Sequence, residues 1–413
     1  MKRVVVTGTG VVTPLGHSID EMWSNLKSGK SGIGPITKLD PEEYPSKIAG
    51  EVRDFDPTQF IDKKDARKMA LFSQYAIAGA VQAMQQAGLQ AESIDTDRAG
   101  VILGNGIGGF EIIEEGHRTL FDKGPRRVPP MTIPKIISNE GPGHIAIHYG
   151  FHGPCYTVTT ACASGTDAIG QAMRAIQHGQ TDVMITGGTE GCITGLGVSG
   201  FCALKALSTQ HNESPQLASR PFDKNRDGFV IAEGAGILVL EELEHALKRG
   251  AVILGEVAGY GMTCDAYHLT APDPDGNGAA RAMKLALDEA GLQPEDIEYI
   301  NAHGTSTPTN DPIETAAIKK TFGDHAYKLK VSSTKSMTGH MIGAAGGVEA
   351  IIGLLAIRNS FIPPTVNLEE PDEACDLDYV PGQGIDARVR AVLSNSLGFG
   401  GHNGVVLIKE YSE

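Results

Sequence analysis

Three short segments of the chain carry a cysteine or a histidine among small, polar, glycine-bounded neighbours. They are TTACASG at 159–165, NAHGTST at 301–307 and KSMTGH at 335–340, and they contain Cys162, His303 and His340. One thiol and two imidazoles suit acyl-thioester chemistry, because a thiolate attacks the acyl carbon while imidazoles donate hydrogen bonds to an enolate-like oxygen. We therefore expect an acyl-enzyme centre where these segments meet.

Cys162 lies at a predicted strand-to-helix junction. Free N–H groups at a helix N-terminus favour a thiolate, which predicts a thiol pKa below its ordinary value of about 8.5. A fourth segment, SNSLGFGGHN at 394–403, places Phe399 among glycines. We expect the backbone N–H groups of Phe399 and Cys162 to form an oxyanion hole. Inert thiols are expected for the remaining cysteines, at 155, 192, 202, 264 and 375.

The elements that must position these segments alternate between short β-branched runs and longer alanine-rich runs. The runs predict strands at 4–6, 101–103, 156–159 and 183–186, and helices at 73–87, 162–178 and 279–290. This alternation favours an α/β fold with a substantially parallel sheet covered on both faces. The segments 32–65 and 110–139 carry turns, prolines and charge clusters, which indicates insertions or caps.

A weak internal repeat divides the chain. RVVVTGTGVVTP, RAGVILGNGIGG, YTVTTAC and GFVIAEGAGILVLEEL have later counterparts in ILGEVAGYGMT, IEYINAHGTST, KVSSTK and GFGGHNGVVLIKEY, in the same order. The repeat predicts two similar halves, residues 1–250 with the cysteine and the caps, and residues 251–413 with the two histidines. Any α/β protein repeats strand, turn and helix, and that is the simpler alternative to duplication.

Composition excludes several classes of protein. The 413 residues are 41% hydrophobic with a net charge of −15, which disfavours disorder and broad binding to nucleic acid or to anionic membranes. No run of about 20 apolar residues is present, so no membrane-spanning helix is expected. The six cysteines include no C-x-x-C pair, and reduced thiols in a cytoplasmic protein are the favoured interpretation.

Two further motifs suggest other chemistry. GNGIGG at 104–109 fits a dinucleotide-binding fingerprint, but acidic residues follow it and no strand-borne acid lies about 20 residues on. DKNRDG at 223–228 begins like a calcium-binding loop, but position twelve is Gly234, so the bidentate ligand is missing and a tight turn is favoured. An NAD-dependent oxidoreductase is therefore the rival from another enzyme class.

Over essentially its whole length the chain resembles the β-ketoacyl-[acyl-carrier-protein] synthases of the thiolase-like superfamily, most closely the elongating synthase II group. The resemblance rests on TTACASGTDAIG, SRPFDKNRDGFVIAEGAG, NAHGTSTPTND, SSTKSMTGHMIGAAGG and SNSLGFGGHNG. It implies a five-layered αβαβα fold with duplicated halves, a homodimer, and decarboxylative condensation of malonyl-carrier protein with an acyl group on Cys162. No metal or redox cofactor is required by that chemistry.

The resemblance also implies roles for further residues. Lys335 would support the histidines and Phe399 would gate the site; Ile107 would line the acyl pocket and Phe201 the malonyl side. Pantetheine would be bound by Thr305 and Thr307, and a structural monovalent-cation site would lie near Asn301, Glu349, Ser394 and Asn395. The chain departs from many relatives at His402, where they carry threonine.

The implied partner, an acidic acyl carrier protein, requires a basic docking surface. Candidates for this surface are Lys63, Lys64, Arg67, Lys68, Arg126, Arg127 and Lys205. A solvated charged helix face is the alternative for the first four. Two other rivals are a silent chain-length partner, against which Cys162 speaks, and a polyketide synthase domain with a live cysteine.

Overall fold

A computed structural model describes residues 1–412. Its strands are β1 (Val4–Val12), β2 (Gly34–Pro35), β3 (Ile48–Ala49), β4 (Ala99–Gly104), β5 (Cys155–Val158), β6 (Val183–Glu190), β7 (Gly234–Glu242), β8 (Gly255–Cys264), β9 (Tyr299–Asn301), β10 (Lys330–Ser332), β11 (Phe361–Ile362), β12 (Ile385–Asp386), β13 (Ala391–Gly398) and β14 (His402–Lys409). The predicted strands all occur, each one extended or shifted by a few residues.

The helices confirm the three predicted ones, with small differences in their first residues. They are α1 (Ile19–Lys27), α2 (Lys63–Ala66), α3 (Leu71–Ala87), α4 (Phe110–Lys123), α5 (Thr132–Ile136), α6 (Glu140–Tyr149), α7 (Ser164–Gln177), α8 (Gly195–Ala203), α9 (Leu243–Lys248), α10 (Asn277–Ala290), α11 (Asn310–Phe322), α12 (Lys335–Thr338) and α13 (Ala345–Asn359). α10 ends at Gly291, whose left-handed backbone (φ 67°) is the conformation that glycine tolerates at a helix end.

Ten strands form one mixed sheet in the order β10-β9-β13-β14-β8-β1-β7-β6-β4-β5. The pairs at both ends are parallel, whereas the five pairs from β13-β14 to β7-β6 are antiparallel. The expectation of a substantially parallel sheet is therefore wrong for the centre. One reason is the three-residue connection between β13 and β14, which permits only an antiparallel pair because a parallel pair needs a long crossover.

The sheet consists of two halves with the same internal order. β5-β4-β6-β7-β1 corresponds strand by strand to β10-β9-β13-β14-β8. The four sequence repeats pair β1 with β8, β4 with β9, β5 with β10 and β7 with β14, which agrees with this order. The duplication of the α/β fold is thereby confirmed, while the boundary at residue 250 stays a prediction.

Helices form three layers around the two half-sheets. α3 packs on β1, β6 and β7, and α10 packs on β8, β13 and β14, so each covers the outer face of one half. α7 and α13 contact strands of both halves and each other, which makes them the central layer. This is the five-layered αβαβα arrangement.

The central helix α13 is unusually apolar. The segment Ile342–Asn359 is long and apolar enough to cross a membrane, but 89% of it is buried inside the protein. Its composition is explained by its position between two sheets, where a helix needs apolar residues on every side.

Candidate active site

Cys162 is presented by a sharp bend between β5 and α7. Ala161 has a positive φ of 51°, and Ala161–Ala163 form a single 3₁₀ turn before α7 begins at Ser164. The bend is held by the backbone N–H of Thr160, which donates to Ser164 Oγ at 2.9 Å. The predicted helix therefore starts two residues late, and Cys162 lies on the turn rather than in the helix.

The two histidines reach Cys162 from the other half of the chain. His303 follows β9, and His340 lies between α12 and the turn that leads into α13. Their rings are 5.2 Å apart and nearly perpendicular, at 86°. The ligand atoms of Cys162, His303 and His340 all lie within 4.8 Å of one another. The structure thus brings together the three residues that the sequence singled out.

Burial keeps all three groups neutral. It raises the pKa of the Cys162 thiol to about 12, although the positive charge of Lys335 and the backbone N–H groups of Phe399 and Cys162 oppose this increase. Burial and the same Lys335 charge hold the pKa values of His303 and His340 well below their ordinary value. The expected low thiol pKa is wrong for this state, because loss of hydration outweighs the favourable backbone groups.

The charge near the triad comes from a buried ion pair. Lys335 Nζ lies 2.5 Å from Glu349 Oε1, and the two side chains are 1% and 2% exposed. Burial raises the pKa of Glu349 to about 7, against the effect of Lys335. The ammonium therefore acts on the triad across a medium with little water to screen it.

A cavity of about 390 Å³ opens above Cys162, His303 and His340. The predicted site residues that line it are Phe201, Lys205, Thr305, Thr307 and Phe399. Ile107 does not line this cavity. It instead packs against the buried apolar cluster that contains Cys162 and Ile342.

The predicted oxyanion hole has a structural counterpart. The N–H groups of Phe399 and Cys162 both stabilise negative charge on the sulfur, as their effect on its pKa indicates. A Cβ at Gly398 would lie 2.8 Å from the carbonyl oxygen of Thr160, so only glycine lets the Phe399 loop approach the cysteine turn this closely.

The basic residues predicted to dock a carrier protein are all exposed. Lys205 lies at the cavity, whereas the other six do not line it: Lys63, Lys64, Arg67, Lys68, Arg126 and Arg127. Lys63 and Lys64 are on the short helix α2, with Arg67 and Lys68 directly after it. Lys68 is also paired with Asp65 at 2.8 Å.

The implied cation site consists of oxygens that lack partners. Asn301 Oδ1, Glu349 Oε2, Ser394 Oγ and Asn395 Oδ1 are buried and accept no hydrogen bond. Buried polar atoms without partners are rare and indicate a missing ligand. Two amide oxygens, a hydroxyl and a carboxylate are hard oxygen donors, so these residues fit a monovalent cation.

Sequence reasoning missed Glu314, on α11. Its carboxylate accepts hydrogen bonds from the backbone N–H groups of His303 and Gly304, each at 2.8 Å, and from the Asn395 amide at 3.1 Å. Glu314 therefore links the His303 turn to the oxygen cluster. The available signal was an acid in the helix that directly follows the NAHGTSTPTND motif.

The loop of the GNGIGG motif does not resemble a phosphate cradle. The N–H of Gly106 donates to Glu190 Oε2 at 2.8 Å, and the N–H of Gly108 donates to Asn105 Oδ1 at 2.7 Å. A buried carboxylate occupies the place where a phosphate would have to accept these hydrogen bonds. The oxidoreductase alternative loses its main support.

Comparison with known proteins agrees with the geometry. Residues 1–246 match the family model "Beta-ketoacyl synthase, N-terminal domain" and residues 254–369 match "Beta-ketoacyl synthase, C-terminal domain". The 3-oxoacyl-[acyl-carrier-protein] synthase 2 of Synechocystis sp. is 53% identical over 410 residues, 99% of this chain and 98% of that protein. The synthase 2 of Staphylococcus aureus is 50% identical over 99% of both chains.

Solved structures show the same fold over the full length. A β-ketoacyl synthase from Burkholderia phymatum has a TM-score of 0.93 at 37% identity, covering 100% of both chains. A ketosynthase in complex with its type II polyketide acyl-carrier protein has a TM-score of 0.92, also at 37% identity and 100% coverage of both chains. With both domain models matched and a cysteine facing two histidines, the chain belongs to the β-ketoacyl synthase family.

Proposed function

We propose that this chain is a β-ketoacyl-[acyl-carrier-protein] synthase of type II, which extends fatty acyl chains by two carbons. The observation that carries the proposal is the approach of Cys162, His303 and His340 to within 4.8 Å of one another beneath a 390 Å³ cavity. The names of relatives that are 50–53% identical over nearly the whole chain support the same assignment.

In the first half-reaction, Cys162 Sγ attacks the acyl thioester of a carrier protein. The S–H proton leaves with the departing carrier thiol, and a new thioester forms on Cys162. The N–H groups of Phe399 and Cys162 stabilise the oxyanion of the tetrahedral intermediate. Because the resting thiol is neutral, its deprotonation accompanies attack instead of preceding it.

In the second half-reaction, malonyl-carrier protein loses CO2. The electrons of the broken C–C bond form an enolate, which attacks the Cys162 thioester and releases the cysteine with a product two carbons longer. Neutral imidazoles suit this step because each retains an N–H that donates to the enolate oxygen. Loss of CO2 supplies the driving force.

Other residues have supporting roles in this proposal. Lys335 stabilises the developing negative charge at the triad, and Phe399 gates access between the two half-reactions. Ile107 limits the acyl pocket, Phe201 shapes the malonyl side, and Thr305 and Thr307 hydrogen-bond the pantetheine arm. The oxygen cluster around Asn301 would hold a monovalent cation that stiffens the His303 turn.

The proposed partner is an acyl carrier protein, loaded with an acyl or a malonyl group. A ketosynthase with the same fold was solved in complex with its acyl-carrier protein, which supports this choice. Lys205 would lie closest to the incoming pantetheine. The two exposed basic clusters, Lys63–Lys68 and Arg126–Arg127, would contact the acidic carrier surface.

A homodimer is proposed on the evidence of an unpaired sheet edge. β5 ends the ten-stranded sheet and is largely exposed, with Tyr156 at 41%. Exposed apolar side chains nearby in sequence are Phe121, Ile133, Ile137 and Ile147. An exposed edge strand beside apolar residues is a surface that a second copy can cover. A cytoplasmic location remains a prediction, with all six cysteines free.

A second candidate is a ketosynthase of polyketide biosynthesis, because two structural neighbours have that description at 37–39% identity. The higher identity to the fatty acid enzymes favours the first proposal. The two differ in the product, since a polyketide enzyme repeats the condensation on an unreduced β-keto chain. Supplying the first β-ketoacyl product back to the enzyme distinguishes them.

Intact-protein mass spectrometry after incubation with acyl-carrier proteins of several lengths tests the proposal. The expected result is a single acyl adduct on the wild type and on Cys264→Ala, a control that removes an exposed cysteine, and none on Cys162→Ala. An adduct on Cys162→Ala would refute the nucleophile. The absence of any adduct on the wild type would refute the function.

A further inference from the structure

The DKNRDG motif at 223–228 has no part in the chemistry described so far. The Asp223 carboxylate accepts hydrogen bonds from the Arg220 guanidinium at 3.0 Å and from the N–H groups of Asn225, Glu369 and Glu370 at 2.8–2.9 Å. Its oxygens are therefore used within the turn, as expected for a structural loop. The arginine of the motif, Arg226, points elsewhere.

Arg226 lies behind the loop that carries Thr305 and Thr307. Its guanidinium donates from Nε to the carbonyl oxygen of Thr307 at 3.0 Å and from Nη2 to the carbonyl oxygen of Pro308 at 3.0 Å. Nη1 donates to Asp372 Oδ2 at 2.7 Å, which fixes the plane of the guanidinium. The side chain is only 3% exposed and does not line the cavity.

The same motif holds the loop at a second point. Ser306 has a positive φ of 68°, which is uncommon for a residue other than glycine. Its carbonyl oxygen accepts from the N–H of Gly228 at 3.1 Å, and its hydroxyl accepts from the N–H of Arg220 at 2.9 Å. The strained backbone is thus stabilised from the side opposite to the cavity.

Because Ser306 is held in this conformation, the threonine hydroxyls on either side of it come together. Thr305 Oγ1 and Thr307 Oγ1 are 3.0 Å apart, and both residues line the cavity. Loss of the guanidinium contacts would release the carbonyls of Thr307 and Pro308 and with them the relative position of the two hydroxyls. No contact joins Arg226 to Cys162, His303 or His340 among the hydrogen bonds of residues 1–412.

We propose that Arg226 is a positioning residue for recognition of the pantetheine arm, acting through the Thr305–Thr307 loop. This inference rests on the proposed function, in which those threonines bind pantetheine. A lysine cannot replace Arg226, since a single ammonium lacks the planar fork that reaches two carbonyls and a carboxylate at once.

The test compares two acyl donors with the same hexanoyl group in the acylation of Cys162, followed by mass spectrometry. Hexanoyl-carrier protein has the pantetheine arm, whereas the hexanoyl thioester of 2-mercaptoethanol has no amide for the threonines to bind. Arg226→Lys should lower the second-order rate constant for the carrier-protein donor about tenfold and that for the small thioester by less than about twofold. Thr307→Val should show the same selectivity, and combining it with Arg226→Lys should add little.

Two further variants keep the result interpretable. Arg249→Lys disturbs a different arginine–carboxylate pair, with Glu241, and should leave both rate constants unchanged. Asp372→Asn weakens the orientation of Arg226 at a partly exposed carboxylate and should give a smaller loss of the same selectivity, even if Arg226→Lys does not fold. An equal loss with both donors, or no loss in either variant, would overturn the inference. A wild type that accepts neither donor would instead overturn the proposed function.

Discussion

Replacing Lys335 by methionine tests the buried charge pair that supports the triad. The ammonium lies 2.5 Å from Glu349 Oε1, and neither side chain is more than 2% exposed. The variant leaves a buried carboxylate without its partner, and breaking such a pair costs about 3–5 kcal/mol of the free energy of unfolding. The second carboxylate oxygen already lacks a hydrogen-bond partner, so the loss has no local compensation.

The cost should depend on pH in a definite direction. The pKa of Glu349 is already raised to about 7 in the folded protein, against an ordinary value of 4.5, and removing Lys335 raises it further. Stability linked to a raised carboxyl pKa is present at low pH and is lost as pH rises through the folded value. The variant should therefore lose most of its stability at pH 8 and less at pH 6, where Glu349 takes up a proton.

Urea unfolding at these two pH values measures the effect, with the fluorescence of the single tryptophan, Trp23, as the probe. Trp23 is buried, at 6% exposure, so its emission reports loss of the core. The double variant Lys335→Met/Glu349→Gln should recover much of the loss, because no unpaired charge remains. Equal destabilisation at both pH values, with no recovery in the double variant, would refute this account of the pair.

Three further predictions concern the pocket, the docking surface and acid stability. Ile107→Gly should raise the ratio of long to short acyl chains found on Cys162 by mass spectrometry, and an unchanged profile would exclude Ile107 from the pocket. The double variant Lys64→Glu/Arg67→Glu should weaken carrier-protein binding about tenfold in low salt and less in high salt, as measured by titration calorimetry; salt-independent binding would mean a different surface. The Arg249 and His245 hydrogen bonds, with that of Thr7, lower the pKa of Glu241 to about 2, so its contribution of about 3 kcal/mol is present above pH 4.5 and is lost as pH falls toward 2. Glu241→Gln should flatten the acid limb of the stability curve, which chemical denaturation at several pH values would show.

The sequence predicted the elements that depend on local pattern. The helix at 279–290 and the strand at 183–186 were found because their periodicity and the glycine after Ala290 are local signals. The repeats also matched the order of the half-sheets. Strand direction at the centre was not predictable in this way, since it depends on how the two halves join and on the short connection between β13 and β14.

The candidate site shows the same division. Cys162, His303 and His340 could be singled out because each lies in a small-residue turn after a strand. The pKa of Cys162 was predicted in the wrong direction, because local sequence shows the nearby N–H groups but not the extent of burial. Glu314 and Arg226 were missed since their contacts are with backbone groups, which have no sequence signature.

The most direct test of the central claim measures release of labelled CO2 from malonyl-carrier protein together with acylation of Cys162, in the same preparations. If the two imidazoles stabilise the enolate, His303→Ala and His340→Ala should each suppress CO2 release strongly while Cys162 still accepts an acyl group. Cys162→Ala should show the reverse, with no acylation and CO2 release retained. Normal CO2 release by both histidine variants would contradict the account.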